Sequence, residues 1–315
     1  MSFVSALTSA ILPVVAIAGV GFVLGRTRDV SVRALSTINL YVLVPALVFS
    51  SLATSSLGGS AMLTLTTGVV VFTVAMIGIG EGAARLTGTD GLLRSGLVLT
   101  TAFPNAGNYG IPLAAFAFGT VGRSTAVLFT AVQAVLLYSI GVYVVTREAS
   151  GDVVGAVSEV FGLPLVYAVL IALGARVLGV VPPAESTVMQ TISMTGNAAI
   201  PMMLLMLGIQ LANTNYGQTT SRVWTPTVLK MVVAPLVALA IALPLGFRDP
   251  VVARVFVLES ALPAAVSPLM LTIEYGTETG MDAAEFVSTT ILTTTLLSVP
   301  LAAVVVTVLQ SGVLL

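Results

Sequence analysis

Long apolar stretches separated by short polar connections dominate this chain. A membrane-spanning helix needs about 20 mostly apolar residues. Ten segments have that character and predict ten transmembrane helices: 5–25, 34–54, 61–80, 93–118, 124–145, 161–181, 188–212, 224–246, 251–274 and 284–312. Since no connection is long enough for a soluble domain, we expect an all-α membrane protein.

Similar residues recur at an interval close to half of the 315-residue chain. The matched pairs are Pro45 and Pro201, Pro104 and Pro263, and Phe129 and Phe286. An odd number of helices per repeat reverses the orientation, so residues 1–150 and 151–315 are predicted to be two inverted five-helix repeats within one integrated membrane domain. Internal symmetry of this kind is typical of secondary transporters. Chance similarity between proline-containing helices is the alternative.

The fourth predicted helix has two prolines, two glycines and two asparagines within nine positions. Proline removes a backbone donor, and glycine costs about 1 kcal/mol in a helix interior. We therefore expect this helix to break between Pro104 and Gly110, and the ninth, with Pro263, Ser267 and Pro268, to break in the corresponding place. Broken backbone at membrane depth is buried in protein or lines a cavity. A pair of proline kinks satisfied by neighbouring helices is the alternative.

Two interrupted helices in corresponding places favour a site for a charged solute. Half-helix N-termini present partial positive charge to an anion, whereas C-termini and loose carbonyls can hold a cation. We predict a secondary transporter of small organic anions. The candidate substrate-binding residues are Pro104, Asn105, Gly107, Asn108, Pro263 and Ser267.

Two ionisable residues fall inside predicted helices. A lone carboxylate at the depth of Glu259 is costly, so we expect it to be paired, neutral, or a carrier of H⁺ or Na⁺. Lys230 could extend its stem to the membrane surface, or pair with Glu259 or with a substrate carboxylate. Gln133 and Asn197 are further candidates for ion coupling or site lining. The threonines between 289 and 295 are interpreted as helix packing.

Composition narrows the function classes. Only 8% of the residues are charged and 57% are hydrophobic, which is too little charge for a water-exposed surface. The absence of histidine excludes Ser/His and metalloprotease chemistry, and the absence of cysteine excludes disulfides. The net charge of −1 offers no basic surface for nucleic acid. We predict neither an enzyme nor a cofactor, and a non-transporting membrane sensor is the remote alternative.

Loop charges predict the orientation, because arginine and lysine favour the cytoplasmic side. Arg26, Arg28 and Arg33 follow the first predicted helix, so this connection is predicted to lie in the cytoplasm and the N-terminus outside. With ten helices the C-terminus is also predicted outside, in a multi-pass protein of the cell (plasma) membrane. The expected partners are the lipid bilayer, the anion, and H⁺ or Na⁺. The oligomeric state stays open, with a homodimer as one alternative.

Five stretches resemble the auxin efflux carrier family. They are YVLVPALVFSSLA at 41–53, PNAGNYGIPLAAFAFG at 104–119, LPLVYAVLIALGARVLGVVPP at 163–183, AAIPMMLLMLGIQLA at 198–212 and LPAAVSPLMLTIEYG at 262–276. The resemblance implies ten helices in two inverted repeats, broken helices that cross at Pro104 and Pro263, and carboxylate substrates such as auxin or small dicarboxylates. The family's crossover asparagine corresponds to Asn105, and Ala264 stands at the matching position of the second half.

The sodium–bile acid symporters, a related wider group, have a carboxylate just before the second crossover, and Glu259 is similar in placement. A sodium-coupled organic-anion transporter is therefore the alternative to a transporter driven by membrane potential or coupled to protons.

Overall fold

The computed structural model describes residues 10–149, 159–213, 221–275 and 281–315, which are mostly helical. The helices are α1 (Leu12–Thr27), α2 (Val32–Ala53), α3 (Gly59–Leu86), α4 (Gly91–Ala102), α5 (106–118), α6 (120–149), α7 (Pro164–Leu178), α8 (Thr187–Asn213), α9 (Ser221–Leu245), α10 (Pro250–Ser260), α11 (Ser267–Tyr275) and α12 (Met281–Ser311). The predicted repeat boundary after residue 150 and the first residues of the predicted helix 5–25 lie outside the described residues.

Among the described residues, six helical segments are long and apolar enough to cross a membrane. They are Val32–Ala53, Gly59–Leu86, Ala106–Arg147, Thr187–Asn213, Ser221–Leu245 and Ala283–Ser311. α1 and α7 are apolar but shorter, and α4, α10 and α11 are shorter still. The fold is therefore that of a multi-pass α-helical membrane protein. The ten spans and the inverted symmetry stay predictions.

α5 and α6 are separated by a change of direction at Gly119. Its φ of 65° and ψ of −146° are not helical, and glycine adopts such positive φ values without steric cost. α6 then packs back on α5, since a Cβ on Gly122 would lie 2.4 Å from the carbonyl oxygen of Ala114. Two glycines therefore replace the short loop expected between residues 118 and 124.

Several prolines follow π-helical turns instead of ending their helices. The turns Asn39–Leu43, Ala106–Gly110 and Leu229–Val233 are followed two residues later by Pro45, Pro112 and Pro235, respectively. A π turn accommodates the missing proline donor with one extra residue, and such turns are frequent at functional sites. Asn39 and Lys230 lie on two of these turns.

α1 and α8 pack backbone against backbone. A Cβ on Gly208 would lie 1.9 Å from the carbonyl oxygen of Ala18, and a Cβ on Gly21 would lie 2.2 Å from that of Leu205. Small residues permit this close approach of helices in membranes. α8 also packs closely on α2 at Gly196.

Helices α3, α4, α6 and α10 form a second packed group. Glu81 at the end of α3 makes ion pairs with Arg94 of α4 and Arg147 of α6. Deeper in the fold, the rings of Phe72 on α3 and Phe256 on α10 meet edge to face, with centroids 6.3 Å apart. These contacts hold α4 and α10, the helices that lead into the predicted breaks, in one packed group.

Replacing Gly208 by alanine should destabilise the protein, because the added methyl group overlaps the backbone of α1. Overpacking costs about 1–3 kcal/mol, so the thermal unfolding midpoint in detergent should fall by several degrees. Gly19 on α1 is the matched control, since a Cβ there meets nothing within 4 Å. Gly19→Ala should leave the midpoint unchanged or raise it. Equal midpoints for the two variants would contradict the backbone packing of α1 and α8.

Candidate functional site

Two non-helical segments cross each other deep in the structure. α4 ends at Ala102 and α10 at Ser260, and the following segments meet in an antiparallel bridge between Pro104 and Ala264. The amide of Asn105 donates to the carbonyl of Pro263 at 2.8 Å, and the amide of Ala265 donates to that of Phe103 at 2.9 Å. Both predicted interruptions are therefore present. The first is shorter than expected, because residues 106–110 form a π-helical turn.

The outer edges of this bridge are bound by side chains of α6 and α12. Gln133 of α6 donates through Nε2 to the carbonyl oxygen of Pro104 at 2.7 Å. Thr294 of α12 accepts from the amide of Ala264 through Oγ1 at 3.2 Å. Helix packing alone was therefore the wrong interpretation for Thr294. Neighbouring threonines also bond to carbonyls of their own helix. Nothing in the sequence therefore distinguishes Thr294 from them.

A cavity of about 280 Å³ lies beside the crossing. Six predicted residues are in its lining: Pro104, Asn105, Gly107, Asn108, Gln133 and Ser267. α2 and α8 contribute apolar side chains to the same cavity, including Val44, Met203 and Met206. No Asp, Glu, Lys or Arg is among the described lining residues. Pro263 is not in the lining and contributes through its carbonyl bond to Asn105.

The N-termini of α5 and α11 reach this cavity. α5 begins at Ala106 and α11 at Ser267, and both residues are in the lining. The amide of Ala106 already donates to the carbonyl oxygen of Pro104 at 2.8 Å. The remaining first-turn amides of a helix have no partner within their own helix, and a helix N-terminus carries a partial charge equivalent to about +0.5. Among the described lining residues, none of which is charged, these two helix ends are therefore the source of positive potential that helix geometry predicts.

Asn105 lies where two cavities meet. Its side chain is 5% exposed, and its Nδ2 has no hydrogen-bond partner among the described residues. A second cavity of about 360 Å³ shares Asn105 and Val266 with the first and extends between α8 and α12. Since buried amide donors are normally satisfied, this donor is available to a solute or to water.

Glu259 is fully buried one residue before the end of α10. Neither carboxylate oxygen has a hydrogen-bond partner among the described residues. The carboxylate packs directly against Gly110. A Cβ on Gly110 would lie 1.9 Å from Oε2, so only glycine leaves room for the carboxylate. Thr130 Oγ1 and Gln133 Oε1, also buried, likewise have no partner in the described part of the chain. Sequence reasoning missed Thr130, although it lies three residues before Gln133 and therefore on the same face of α6.

Lys230 is also fully buried, which excludes extension to the membrane surface, the first of the two alternatives considered for it. Its Nζ donates to the carbonyl oxygen of Thr101 at 3.4 Å and lies 5.7 Å from the centre of the Phe72 ring. Within the described residues it forms no ion pair with Glu259. The ammonium position therefore lies at the carbonyl end of α4, where a helix dipole favours a cation.

Asn197 lies apart from the crossing. It is exposed and accepts a hydrogen bond through Oδ1 from Arg123 Nη1 at 2.8 Å. It lines neither of the two cavities that meet at Asn105. This hydrogen bond joins the start of α6 to α8. Asn197 is therefore not at the site-lining position considered for it.

Gly110→Ala should displace the Glu259 carboxylate, because the new methyl group and Oε2 cannot occupy the same place. We expect a thermal unfolding midpoint several degrees lower, and partial recovery when Glu259→Ala is added to make room. Gly107→Ala is the matched control, since a Cβ there meets only Thr130 Cγ2 at 3.6 Å. Additive effects of Gly110→Ala and Glu259→Ala would contradict this contact.

Comparison with known proteins indicates a membrane transport function. Residues 6–159 and 156–305 match the family described as membrane transport protein. A relative from Methanothermobacter thermautotrophicus strain Delta H, described as an uncharacterized transporter, is 26% identical over 302 residues, which cover 95% of this chain and 98% of the relative. The chain therefore belongs to the membrane transport protein family, the auxin efflux carrier family that its motifs resemble.

Proposed function

We propose that this protein is a secondary transporter of small organic anions and that the anion binds at the crossing of the interrupted helices. The observation that carries this proposal is the pair of half-helix N-termini, at Ala106 and Ser267, that reach one cavity whose described lining residues are all uncharged. Helix N-termini bind carboxylate and phosphate groups through free amides and their dipole. Membership of a family of transporters supports the same function.

The cavity suits a small carboxylate with an apolar body. Asn105 and Asn108 provide amides in the lining, and Val44, Met203 and Met206 provide apolar surface. A volume of about 280 Å³ is slightly below the usual range of ligand pockets and therefore limits the site to a small solute. Mono- and dicarboxylates both remain candidates, because two helix N-termini can serve one carboxylate together or two separately.

The cavities reach helix ends on one side of the protein. The first includes Ser36 and Leu163, near the starts of α2 and α7, and the second includes Val32 and Asn213. Arginines 26, 28 and 33 lie beside the start of α2, so the positive-inside rule assigns this side to the cytoplasm of a cell-membrane protein. We therefore interpret the conformation as inward-facing, with both chain termini outside.

Asn105→Asp should weaken binding of carboxylates at least tenfold, about 1.4 kcal/mol, because it replaces an amide donor by a like charge. The measurement is the rise in thermal unfolding temperature of purified protein with benzoate, indole-3-acetate, succinate or malate, since a ligand of the folded state raises apparent stability.

Gln190→Glu is the matched control, because it makes the same amide-to-carboxylate change at an exposed residue of α8. It should leave the ligand-induced shift as it is in the unsubstituted protein. An undiminished shift in Asn105→Asp would contradict the crossing as the anion site. The absence of a shift with every carboxylate in the unsubstituted protein would contradict it as well.

Transport is proposed to be driven by membrane potential or coupled to protons, with Glu259 as the candidate proton carrier. A specific observation also favours the sodium-coupled alternative. Glu259, Thr130 and Gln133 each have a buried oxygen without a partner among the described residues, and oxygens are the ligands that hard cations prefer. Both forms of coupling use the same carboxylate and differ in the ion it takes up.

Glu259→Gln should abolish accumulation driven by an ion gradient, because it keeps the side-chain shape and removes the group that binds the ion. The measurement is uptake into proteoliposomes of whichever carboxylate binds, under an imposed pH gradient or an imposed Na⁺ gradient. One-for-one exchange of labelled for unlabelled carboxylate should continue. A requirement for Na⁺ in the unsubstituted protein selects the sodium-coupled alternative, and unchanged accumulation by the variant excludes Glu259 from coupling.

A further inference from the structure

Two threonines of α12 occupy the same environment but make different contacts. Thr290 and Thr294 are one helical turn apart, and both are fully buried. The hydroxyl of Thr290 donates to the carbonyl oxygen of Phe286 at 2.8 Å. The hydroxyl of Thr294 donates to the carbonyl oxygens of Thr290 at 2.8 Å and Ile291 at 3.0 Å, and it also accepts from the amide of Ala264 at 3.2 Å.

The amide of Ala264 needs this acceptor. The bridge uses the amides of Asn105 and Ala265, so the amide of Ala264 points away from the crossing strand. Ala264 is fully buried, and a backbone group without a partner at membrane depth is costly. Because the Thr294 hydroxyl proton is directed to its own helix, a lone pair is left for Ala264.

The opposite edge of the crossing is held in a comparable way. Pro104 is the residue paired with Ala264 in the bridge. Its carbonyl also points away from the crossing strand and accepts from Gln133 of α6. One side chain from α6 and one from α12 therefore hold the two outer edges of the crossing. The cavity residues Val266 and Ser267 follow Ala264 by two and three positions.

We propose that Thr294 is a positioning residue of the crossing, which fixes the second non-helical segment to α12 and thereby sets the position of Val266 and Ser267 in the cavity. Its action on the backbone does not depend on the identity of the solute. Its consequence for binding rests on the proposed anion site at the crossing.

The absence of cysteine from the chain makes a direct test of the position of Ser267 feasible. Ser267→Cys introduces a single thiol at the start of α11, and its rate of reaction with a soluble maleimide reports how that residue is held. In this background, Thr294→Val should raise the labelling rate at least fivefold, because valine has nearly the same shape and no acceptor. Thr294→Ser should restore the rate, since it keeps the hydroxyl.

Thr290→Val is the matched control, because it removes an equally buried hydroxyl from the same helix without touching Ala264. It should change the labelling rate less than twofold. Equal rates for Thr294→Val and Thr290→Val would overturn the proposal. Thr294→Ala serves as the second variant. If neither Thr294 variant folds while Thr290→Val does, Thr294 belongs to the stability of the fold and the proposal is also overturned.

Protection of the thiol by benzoate, indole-3-acetate, succinate or malate separates this proposal from the proposed function. Where one of these slows labelling of Ser267→Cys, Thr294→Val should raise the concentration needed for half protection about tenfold, and Thr290→Val should not. Where none of them slows labelling, the anion site at the crossing fails, and the rates without ligand still decide the role of Thr294.

Discussion

The backbone hydrogen bonds between residues 103–105 and 263–265 are the constraint on which the rest of the structure depends. A chain that leaves the helical conformation exposes amides and carbonyls, and hydrocarbon provides no water to bind them. Here each interruption supplies partners for the other, through Asn105 to Pro263 and Ala265 to Phe103. Proline at 104 lacks an amide and therefore leaves one donor fewer to satisfy. A single break of this kind would need partners from elsewhere, so the two interruptions are stable as a pair.

The crossing also provides an environment for two buried ionisable side chains that have no counter-ion within the described residues. Lys230 places its Nζ near the carbonyl of Thr101, in the last turn of α4. Glu259 packs on Gly110, in the first turn of α5. Each group therefore lies at the half-helix end whose dipole favours its charge. Interrupting one helix produces both of these ends within a few residues, which explains how a mostly apolar interior can contain them.

Local chemistry predicted the breaks, and tertiary contacts decided what lies around them. The prolines and glycines near 104 and 263 disfavour a helix whatever surrounds them, so both interruptions followed from the sequence. The position of Lys230 did not follow from the sequence. A lysine side chain near a helix end can extend to the membrane surface or turn inward, and only the packing of neighbouring helices decides that it turns inward here. Thr294 and Thr290 have the same local pattern, and only the approach of Ala264 separates them. The turn at Gly119 was placed approximately, as a loop, because a single glycine gives no measure of helix direction.

The distribution of close contacts favours relative movement of two helix groups over opening of the crossing. Backbone packing at Gly208 and Gly196 joins α1, α2 and α8, whereas Glu81 and the bridge join α3, α4, α6 and the interrupted helices. Between the groups, the side-chain bonds include Arg123 to Asn197 and Ser124 to the carbonyl of Ser51, both from the start of α6. Exchanging such side-chain bonds costs less than exposing the backbone amides of the crossing to hydrocarbon. Alternating access in which the crossing moves as a unit past α2 and α8 would therefore leave the backbone bonds beside the proposed anion site unbroken.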